Sequence, residues 1–259
     1  MAEVKKAASN AKAVDPVLKQ LLESGAHFGH RKDRWNPKMK PYIYGVRGGV
    51  HIIDLTKSLE QLSDAEKFIE ATTKVGGNVL FVGTKRQARP IIEKAAKGAD
   101  MPYVSNRWLG GMLTNLETIQ TRVGKLKKLQ ADSEAGKLTG TKKERAEKQR
   151  EMEQLNKVFE GISQMQQLPS AVFVADILVD DIAVLEANKL GIPVVALCDT
   201  NTDPEKIAFP IASNDDAVKA IAMITDRIAD AARRGHEIYK SKTAELEAKQ
   251  AAKTNQEEK

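Results

Sequence analysis

Short apolar runs alternate with helical stretches over much of this chain, and the alternation strongly constrains the fold. Several of the intervening stretches carry apolar residues at the three- and four-residue spacing of amphipathic helices. Strands that are buried on both faces and joined by helices form a parallel sheet. We therefore predict an α/β fold with helices on both faces of the sheet. The apolar runs are residues 78–82, 102–104, 171–175, 193–197 and 209–211.

The segments on either side of this pattern have recognisable ends. Asp15 and Pro16 predict the start of a short helix, which Gly25 ends. Residues 27–45 are basic and broken by prolines, so we expect a long extended loop. Residues 42–46 and 50–53 then flank Arg47-Gly48-Gly49, a pattern typical of a β-hairpin. Helices are also predicted at residues 55–73, 87–96 and 182–190. A last, long helix is predicted after the capping run Asn214-Asp215-Asp216, and the polar tail that follows it is expected to be frayed.

Residues 112–165 interrupt the alternation. Two apolar stripes with helical spacing flank a polar tract that contains Gly136 and Gly140. This pattern predicts an inserted antiparallel helical hairpin, a coiled coil that protrudes from the sheet domain and is held by its own seam. The predicted organisation is a flexible N-terminal tail (1–15), a discontinuous α/β domain (16–111 and 166–236), the hairpin (112–165) and a polar C-terminal tail (237–259).

Composition narrows the class of protein. Hydrophobic residues make up 41% of the 259 residues and charged residues 29%, which is a globular balance. No apolar run is long enough to span a membrane, no signal peptide is apparent, and there is one cysteine; we expect a reduced, cytoplasmic protein. The net charge of +6 is unevenly distributed. Residues 1–40, 81–108 and 122–160 are basic, whereas 161–226 are acidic, so one side of the protein is expected to face a polyanion.

Enzymatic chemistry has weak support in the sequence. Gly83-Thr84-Lys85 lies where a phosphate-binding loop would lie, but the Walker spacing is missing. His27 and His30 are close enough for a metal pair, yet their neighbours are basic. The acids that follow the strands are expected to be solvated loop acids and helix caps, and Cys198 is expected to be buried. We predict no catalytic residue, metal, cofactor, small-molecule substrate or membrane partner, and keep a nucleotide- or metal-dependent enzyme as the alternative.

The basic segments favour RNA. Lysine and arginine neutralise phosphates, and flat side chains stack on unpaired bases. For the two tryptophans, core filling is an equally good interpretation. The predicted RNA-binding residues are His27, His30, Arg31, Lys32, Arg34, Trp35, Asn36, Lys38, Lys40, Arg47, Lys85, Arg86, Arg89, Asn106, Arg107 and Trp108.

Several long motifs occur together in a fixed order. They are SGAHFGH, RWNPKMKPYIYG, VHIIDLTKSLEQL, FVGTKRQA, NRWLGGMLTN, LPSAVFVAD, EANKLGIPVVALCDTNTDP and SNDDAV. Over residues 16–236 the chain resembles the family of bacterial small-subunit ribosomal protein two. Gly48-Gly49, Ser213 and the apolar run at residues 176–179 depart from the pattern of that family, and none of them lies in a basic motif.

The resemblance implies a non-enzymatic protein. It implies a flavodoxin-like sheet with a protruding helical hairpin and binding to 16S ribosomal RNA between the head and body of the small subunit. It also implies contact with neighbouring ribosomal proteins and a role in recruiting ribosomal protein one for translation.

Overall fold

The computed structural model describes residues 15–257 except 137–138 and 140, and it describes residues 247–257 by their backbone alone. The predicted N-terminal tail therefore lies outside the described residues, apart from Asp15. The helices are α1 (Pro16–Ser24), α2 (Leu55–Lys74), α3 (Arg89–Ala99), α4 (Leu116–Glu134), α5 (Lys142–Phe159), α6 (Asp181–Lys189) and α7 (Val218–Glu257). The strands are β1 (Phe28–Arg31), β2 (Ile43–Arg47), β3 (Val50–Ile53), β4 (Val79–Val82), β5 (Tyr103–Val104), β6 (Ala171–Val174), β7 (Val194–Cys198) and β8 (Phe209–Ala212).

Five of the strands form a parallel sheet in the order β5-β4-β6-β7-β8. Every residue of β4, β6 and β7 is buried, as expected for central strands that helices cover on both faces. The alternation of apolar runs and helices therefore predicted this sheet correctly. The strand order also agrees with the flavodoxin-like arrangement.

Alternate side chains of the strands serve two separate apolar clusters. Phe81 and Phe173, whose ring centroids are 5.5 Å apart, pack with residues of α1, α2, α3 and α7 on one face. Leu80 and Val172 pack with residues of α4, α5 and α6 on the other. None of the described helices combines the length and the apolar character needed to cross a bilayer.

A smaller antiparallel sheet, in the order β1-β3-β2, precedes the parallel sheet in the chain. Strands β2 and β3 form the predicted hairpin, and its turn has positive φ at Gly48 (59°) and Gly49 (77°). Glycine adopts this conformation without steric cost. The adjacent glycines Gly48 and Gly49 were therefore enough to predict the turn.

The prediction of a long extended loop over residues 27–45 is wrong. Strand β1 lies in this segment and pairs with β3, and short 3₁₀ helices follow at Lys32–Arg34 and Pro37–Tyr42. The second of these begins where Asn36 Oδ1 accepts a hydrogen bond from the backbone N–H of Lys38. Strand β1 depends on a partner strand some way along the chain, so local periodicity did not indicate it.

The last helix is longer than predicted. In the turn that leads into it, Asn214 Oδ1 accepts from the backbone N–H groups of Asp216 and Ala217. The helix then continues to Glu257, through the segment for which we predicted a frayed polar tail. Alanine, glutamate and lysine are abundant there, and all three favour helix.

Helices α4 and α5 lie within the predicted insertion. Lys125 pairs with Glu151, and Gln130 Nε2 donates to Asn156 Oδ1 over 3.0 Å, so the two helices lie side by side. Part of their apolar surface belongs to the same cluster as the second face of the sheet. The predicted seam is therefore not the whole of their packing, because some of their residues join the main core, including Val123, Leu126 and Phe159.

Gly235 in α7 marks a close approach to α2. A Cβ atom there would lie 2.0 Å from Thr73 Oγ1 and 2.5 Å from the carbonyl oxygen of Glu70. We expect Gly235→Ala to lower the free energy of unfolding by about 1–3 kcal/mol, because packed helices must move apart. Urea unfolding measures this. In the control Gly98→Ala, also in a helix, the new Cβ meets nothing within 4 Å, and better helix propensity should leave stability equal or higher. Equal losses in both variants would contradict the packing argument.

Candidate nucleic-acid interface

Exposed cations follow the first strand of the small sheet. Arg31 ends β1, Lys32 and Arg34 lie in the next 3₁₀ helix, and all three are exposed. The Arg31 guanidinium is 3.9 Å from the Asp33 carboxylate, but the two side chains are 78% and 64% exposed, so this pair contributes little. Lys32 and Arg34 form no ion pair with another described residue. These three side chains are available to an external polyanion.

Two other predicted RNA-binding cations of this region are also exposed and without an ion pair to a described residue, whereas a third is paired with two acids. Lys40 and Arg47 are exposed and form no ion pair within the described ranges. Lys38 Nζ lies 2.6 Å from Glu205 Oε2 and 3.0 Å from Asp203 Oδ2. Both acids raise the pKa of Lys38, Glu205 more than Asp203. Lys38 therefore joins its 3₁₀ helix to the loop after β7.

The flat side chains of this region are partly built into the protein. Trp35 is half-buried, with its ring centroid 5.2 Å from that of His51, and Asn36 caps a 3₁₀ helix with its side chain. His27 is half-buried beside Phe28, at 4.0 Å between ring centroids. Burial lowers the pKa of His27, which favours a neutral ring. If His27 and Trp35 contact RNA, they therefore do so by stacking their rings on bases and not by neutralising phosphates.

The second basic group lies at the carboxyl edge of the parallel sheet. Arg86 and Arg89 follow β4, Arg107 follows β5, and these two strands are parallel neighbours. Because parallel strands end on the same side, these residues follow the same edge of the sheet. Arg86 and Arg107 are exposed without an ion pair to any described residue, whereas Arg89 Nε donates to the carbonyl oxygen of Thr84 over 2.8 Å.

Lys85 has a different role from its neighbours. Its Nζ lies 2.9 Å from Asp176 Oδ2, 2.8 Å from Asp215 Oδ1 and 2.8 Å from Asp216 Oδ1, and its side chain is only 14% exposed. Burial alone would lower the pKa of Lys85, but the hydrogen bonds to the three carboxylates raise it well above its usual value. We call these four residues the Lys85 cluster. It holds together the ends of β4, β6 and β8, and leaves Lys85 no free face for RNA.

His30 adds a second contact to this edge. Its Nδ1 lies 3.0 Å from Asp199 Oδ1, and its Nε2 lies 3.6 Å from Asp216 Oδ2. The Asp199 carboxylate raises the pKa of His30. His30, Asp215 and Asp216 also place ligand atoms within 4.8 Å of one another, a spacing suited to a metal ion. The Lys85 ammonium already supplies positive charge to both of these aspartates.

The turn that would bind a phosphate in a nucleotide enzyme holds a carboxylate instead. Thr84 donates to Asp180 from its backbone N–H (3.0 Å) and from its hydroxyl (2.7 Å). Asp180 is buried, and burial raises its pKa. Because a phosphate needs the same N–H groups, this contact weighs against the nucleotide-dependent alternative.

The loop after β5 is bonded to the protein on both sides of Arg107. Asn106 Nδ2 donates to the carbonyl oxygen of Lys157 over 2.8 Å. Trp108 is 7% exposed, and its Nε1–H donates to Glu186 Oε1 over 3.0 Å. Of the two roles that the sequence left open for this ring, the structure supports core filling.

Sequence reasoning missed the buried acids. We expected the acids after the strands to be solvated loop acids or helix caps, but Asp176 and Asp199 are buried. Asp215, expected in a helix cap, and Glu186, to which the sequence gave no role, are buried as well. Asp176, Asp199 and Asp215 have partners, Lys85 and His30, that are far away in the chain, and only the fold brings them together.

The comparisons with known proteins bear on identity. A family model described as ribosomal protein S2 matches residues 21–235. The chain belongs to the ribosomal protein S2 family. The match runs from α1 into α7 and includes all of the candidate interface. A ribosomal protein is part of a ribonucleoprotein that carries out translation and is not an enzyme, so the predicted family and the predicted absence of catalysis are both confirmed.

Curated relatives agree along most of the chain. Proteins named small ribosomal subunit protein uS2 from Coprothermobacter proteolyticus and Mesorhizobium japonicum are each 52% identical over 222 residues. These alignments cover 85% of this chain and 83% and 85% of the relatives. A protein of the same name from Dictyoglomus thermophilum is 47% identical over 234 residues, which is 90% of this chain and 95% of the relative.

The Lys85 cluster predicts an unusual pH dependence. Burial, with the nearby charges of Asp176 and Asp199, raises the pKa of Asp215 from 3.8 to about 7. Its ionisation as pH rises to 7 therefore opposes folding. His30, whose pKa is also raised, loses its stabilising contact as pH rises through its folded-state pKa. Both groups lower stability with increasing pH between 5 and 8.

We expect Asp215→Asn to flatten this decline, as measured by urea unfolding at several pH values with EDTA present. Asp216→Asn is the matched control. Lys85 lowers the pKa of Asp216, so Asp216 itself does not titrate in this range. Its loss weakens the contact with His30 but should leave the part of the decline that comes from Asp215 in place. A decline in Asp215→Asn as steep as in the parent would show that Asp215 does not titrate there.

Proposed function

We propose that the chain is a structural component of the small ribosomal subunit that binds 16S ribosomal RNA between head and body. We propose further that it supports the recruitment of ribosomal protein one. The names of the relatives support the assignment to the small subunit, and the family resemblance supports the finer placement. Within the molecule, one observation carries the proposal. Several exposed cations are not held by a firm ion pair with a carboxylate of the described residues.

We call this set the open cations. They occupy the small sheet and the adjacent 3₁₀ helices, and the carboxyl edge of the parallel sheet. Each neutralises a phosphate without first breaking a strong internal ion pair, so counterion release favours binding. Lys38 and Lys85, in contrast, are already bonded to acids of the protein. The open cations are Arg31, Lys32, Arg34, Lys40, Arg47, Arg86 and Arg107.

Helices α4 and α5 are proposed to form the antiparallel coiled-coil hairpin and to dock on the ribosome. Residues 122–160 hold eleven lysines and arginines against seven acids, and most of the described residues of α5 before Met152 are exposed. A largely polar, basic outer surface suits contact with RNA more than burial in the protein.

Recruitment of ribosomal protein one needs a surface that suits a protein. Tyr44 and Val46 on β2 are 81% and 54% exposed, and Phe28 on β1 is 50% exposed. Large apolar side chains gain little from phosphates but gain stability when a protein covers them. We assign this recruitment to the exposed apolar side chains of the small sheet, and RNA contact to its cations.

The first test of RNA binding removes three open cations of the small sheet region. We expect Arg31→Ala/Lys32→Ala/Arg34→Ala to lower occupancy of salt-washed small subunits and to reduce the slope of log affinity against log salt by about 2, because up to three phosphate contacts are lost. Lys38 is left intact because it bonds to Asp203 and Glu205.

The matched control removes three exposed lysines from α1, α2 and α7, as Lys19→Ala/Lys67→Ala/Lys219→Ala. It changes net charge equally and should leave the slope almost unchanged. If the two triple variants bind alike at every salt concentration, the open cations are not the contact surface.

The second test shortens the hairpin. Residues 128–150 are replaced by a short Gly/Ser linker, which retains the core residues Val123, Leu126 and Phe159. We expect cooperative thermal unfolding to persist, because these side chains still fill the second apolar cluster, while competition with the intact chain for subunit assembly becomes weaker. Full competition by the shortened chain would rule out docking through the removed part of the hairpin.

A further inference from the structure

The loop between β5 and α4 has little regular structure of its own. Residues 105–115 include Gly110 and Gly111, and Gly111 has a φ of 92°. The N–H groups of Met112 and Asn115 bond to carbonyl oxygens within the loop. Other backbone N–H groups need acceptors from outside it, since buried donors without partners destabilise the fold. The source of those acceptors decides how firmly the loop is held.

One carboxylate supplies the acceptors for three of them. Glu186 on α6 is 8% exposed, and five donors of the loop converge on its two oxygens. Burial alone would raise the pKa of Glu186, but these hydrogen bonds, led by that from the Thr114 backbone, hold it below its usual value. The donors are Trp108 Nε1 (3.0 Å), the backbone N–H groups of Gly111 (2.7 Å), Leu113 (3.0 Å) and Thr114 (3.0 Å), and the Thr114 hydroxyl (3.0 Å).

Arg107 lies between two points of attachment. The residue before it, Asn106, is bonded to the Lys157 carbonyl on α5, and the residue after it, Trp108, is bonded to Glu186. Arg107 itself is exposed and forms no ion pair with any residue in the described part of the chain. Its backbone is fixed on both sides, while its guanidinium stays open.

We propose that Glu186 is a positioning residue for RNA binding, which holds the backbone of the loop so that Arg107 is presented to a phosphate. The inference rests on the proposed function. A fixed backbone lowers the entropy lost when the guanidinium binds, so the affinity gained from one contact is larger. Glutamine is a poor replacement, because its side chain has one acceptor oxygen and an NH₂ group that cannot accept.

A double-mutant cycle between Glu186→Gln and Arg107→Ala tests this. The probe is salt-washed small subunits that lack the protein, titrated with fluorescently labelled full-length chain. We expect Arg107→Ala to weaken binding about tenfold and Glu186→Gln about fivefold, as typical for a lost charged hydrogen bond. In the Arg107→Ala background, Glu186→Gln should weaken binding less than about twofold, because its effect passes through Arg107.

Two accompanying measurements separate positioning from general instability. In Glu186→Gln, hydrogen exchange should become faster at the amides of Gly111, Leu113 and Thr114, with the strands of the sheet unchanged. Glu117→Gln in the neighbouring helix α4, an exposed residue, makes the same change in charge and should alter neither exchange nor binding. If Glu186→Gln does not fold, Thr114→Val, which removes one of the five donors, enters the same cycle.

The outcomes are distinct. Equal weakening by Glu186→Gln with and without Arg107, or no weakening at all, overturns the positioning role. Unchanged binding by Arg107→Ala instead contradicts the RNA contact that the proposed function gives to Arg107.

Discussion

The buried ammonium of Lys85, set against three aspartates, is the interaction on which the carboxyl edge of the sheet depends. Two of these carboxylates are almost fully buried, and charges in such a place are tolerated only when they are paired. Because the acids come from the end of β6 and from the turn between β8 and α7, the pairing also joins elements that are distant in the chain. His30 extends the same network to the small sheet. Lys85 and His30 are therefore residues of the basic segments that stabilise the protein itself.

This arrangement divides the cations of the chain into two classes. Lys38 and Lys85 neutralise acids of the protein, whereas the open cations have no comparable partner among the described residues. The acidic stretch at residues 161–226 is thus partly accounted for, since several of its carboxylates face inward. A net charge taken from the sequence does not make this distinction. The positive charge available to RNA depends on which cations are not paired with acids of the protein.

Much of the architecture was predictable from local signals. Asp15 and Gly25 bound α1, two glycines set the β2–β3 turn, and continuous apolar runs indicated buried parallel strands. Contacts over long sequence separations were not predictable in this way. Lys85 is a basic residue in a basic motif, and nothing near it reveals three aspartates. From the sequence, Trp108 could equally be a residue that stacks on RNA bases. Its role in the core becomes clear only from the hydrogen bond that its ring nitrogen donates to Glu186 on α6. Strand β1 was missed for the same reason.

The packing of α4 and α5 into the main core has a consequence for the order of folding during synthesis. Val79 of β4 pairs with Ala171 of β6, and the whole α4–α5 segment is made between them. The centre of the sheet therefore cannot close when the first half of the chain leaves the exit tunnel. Thr200 and Asn214, which bond to β1, are made later still. Contacts this far apart slow folding, and the basic segments at residues 27–47 and 85–108 are synthesised well before the residues that complete the sheet.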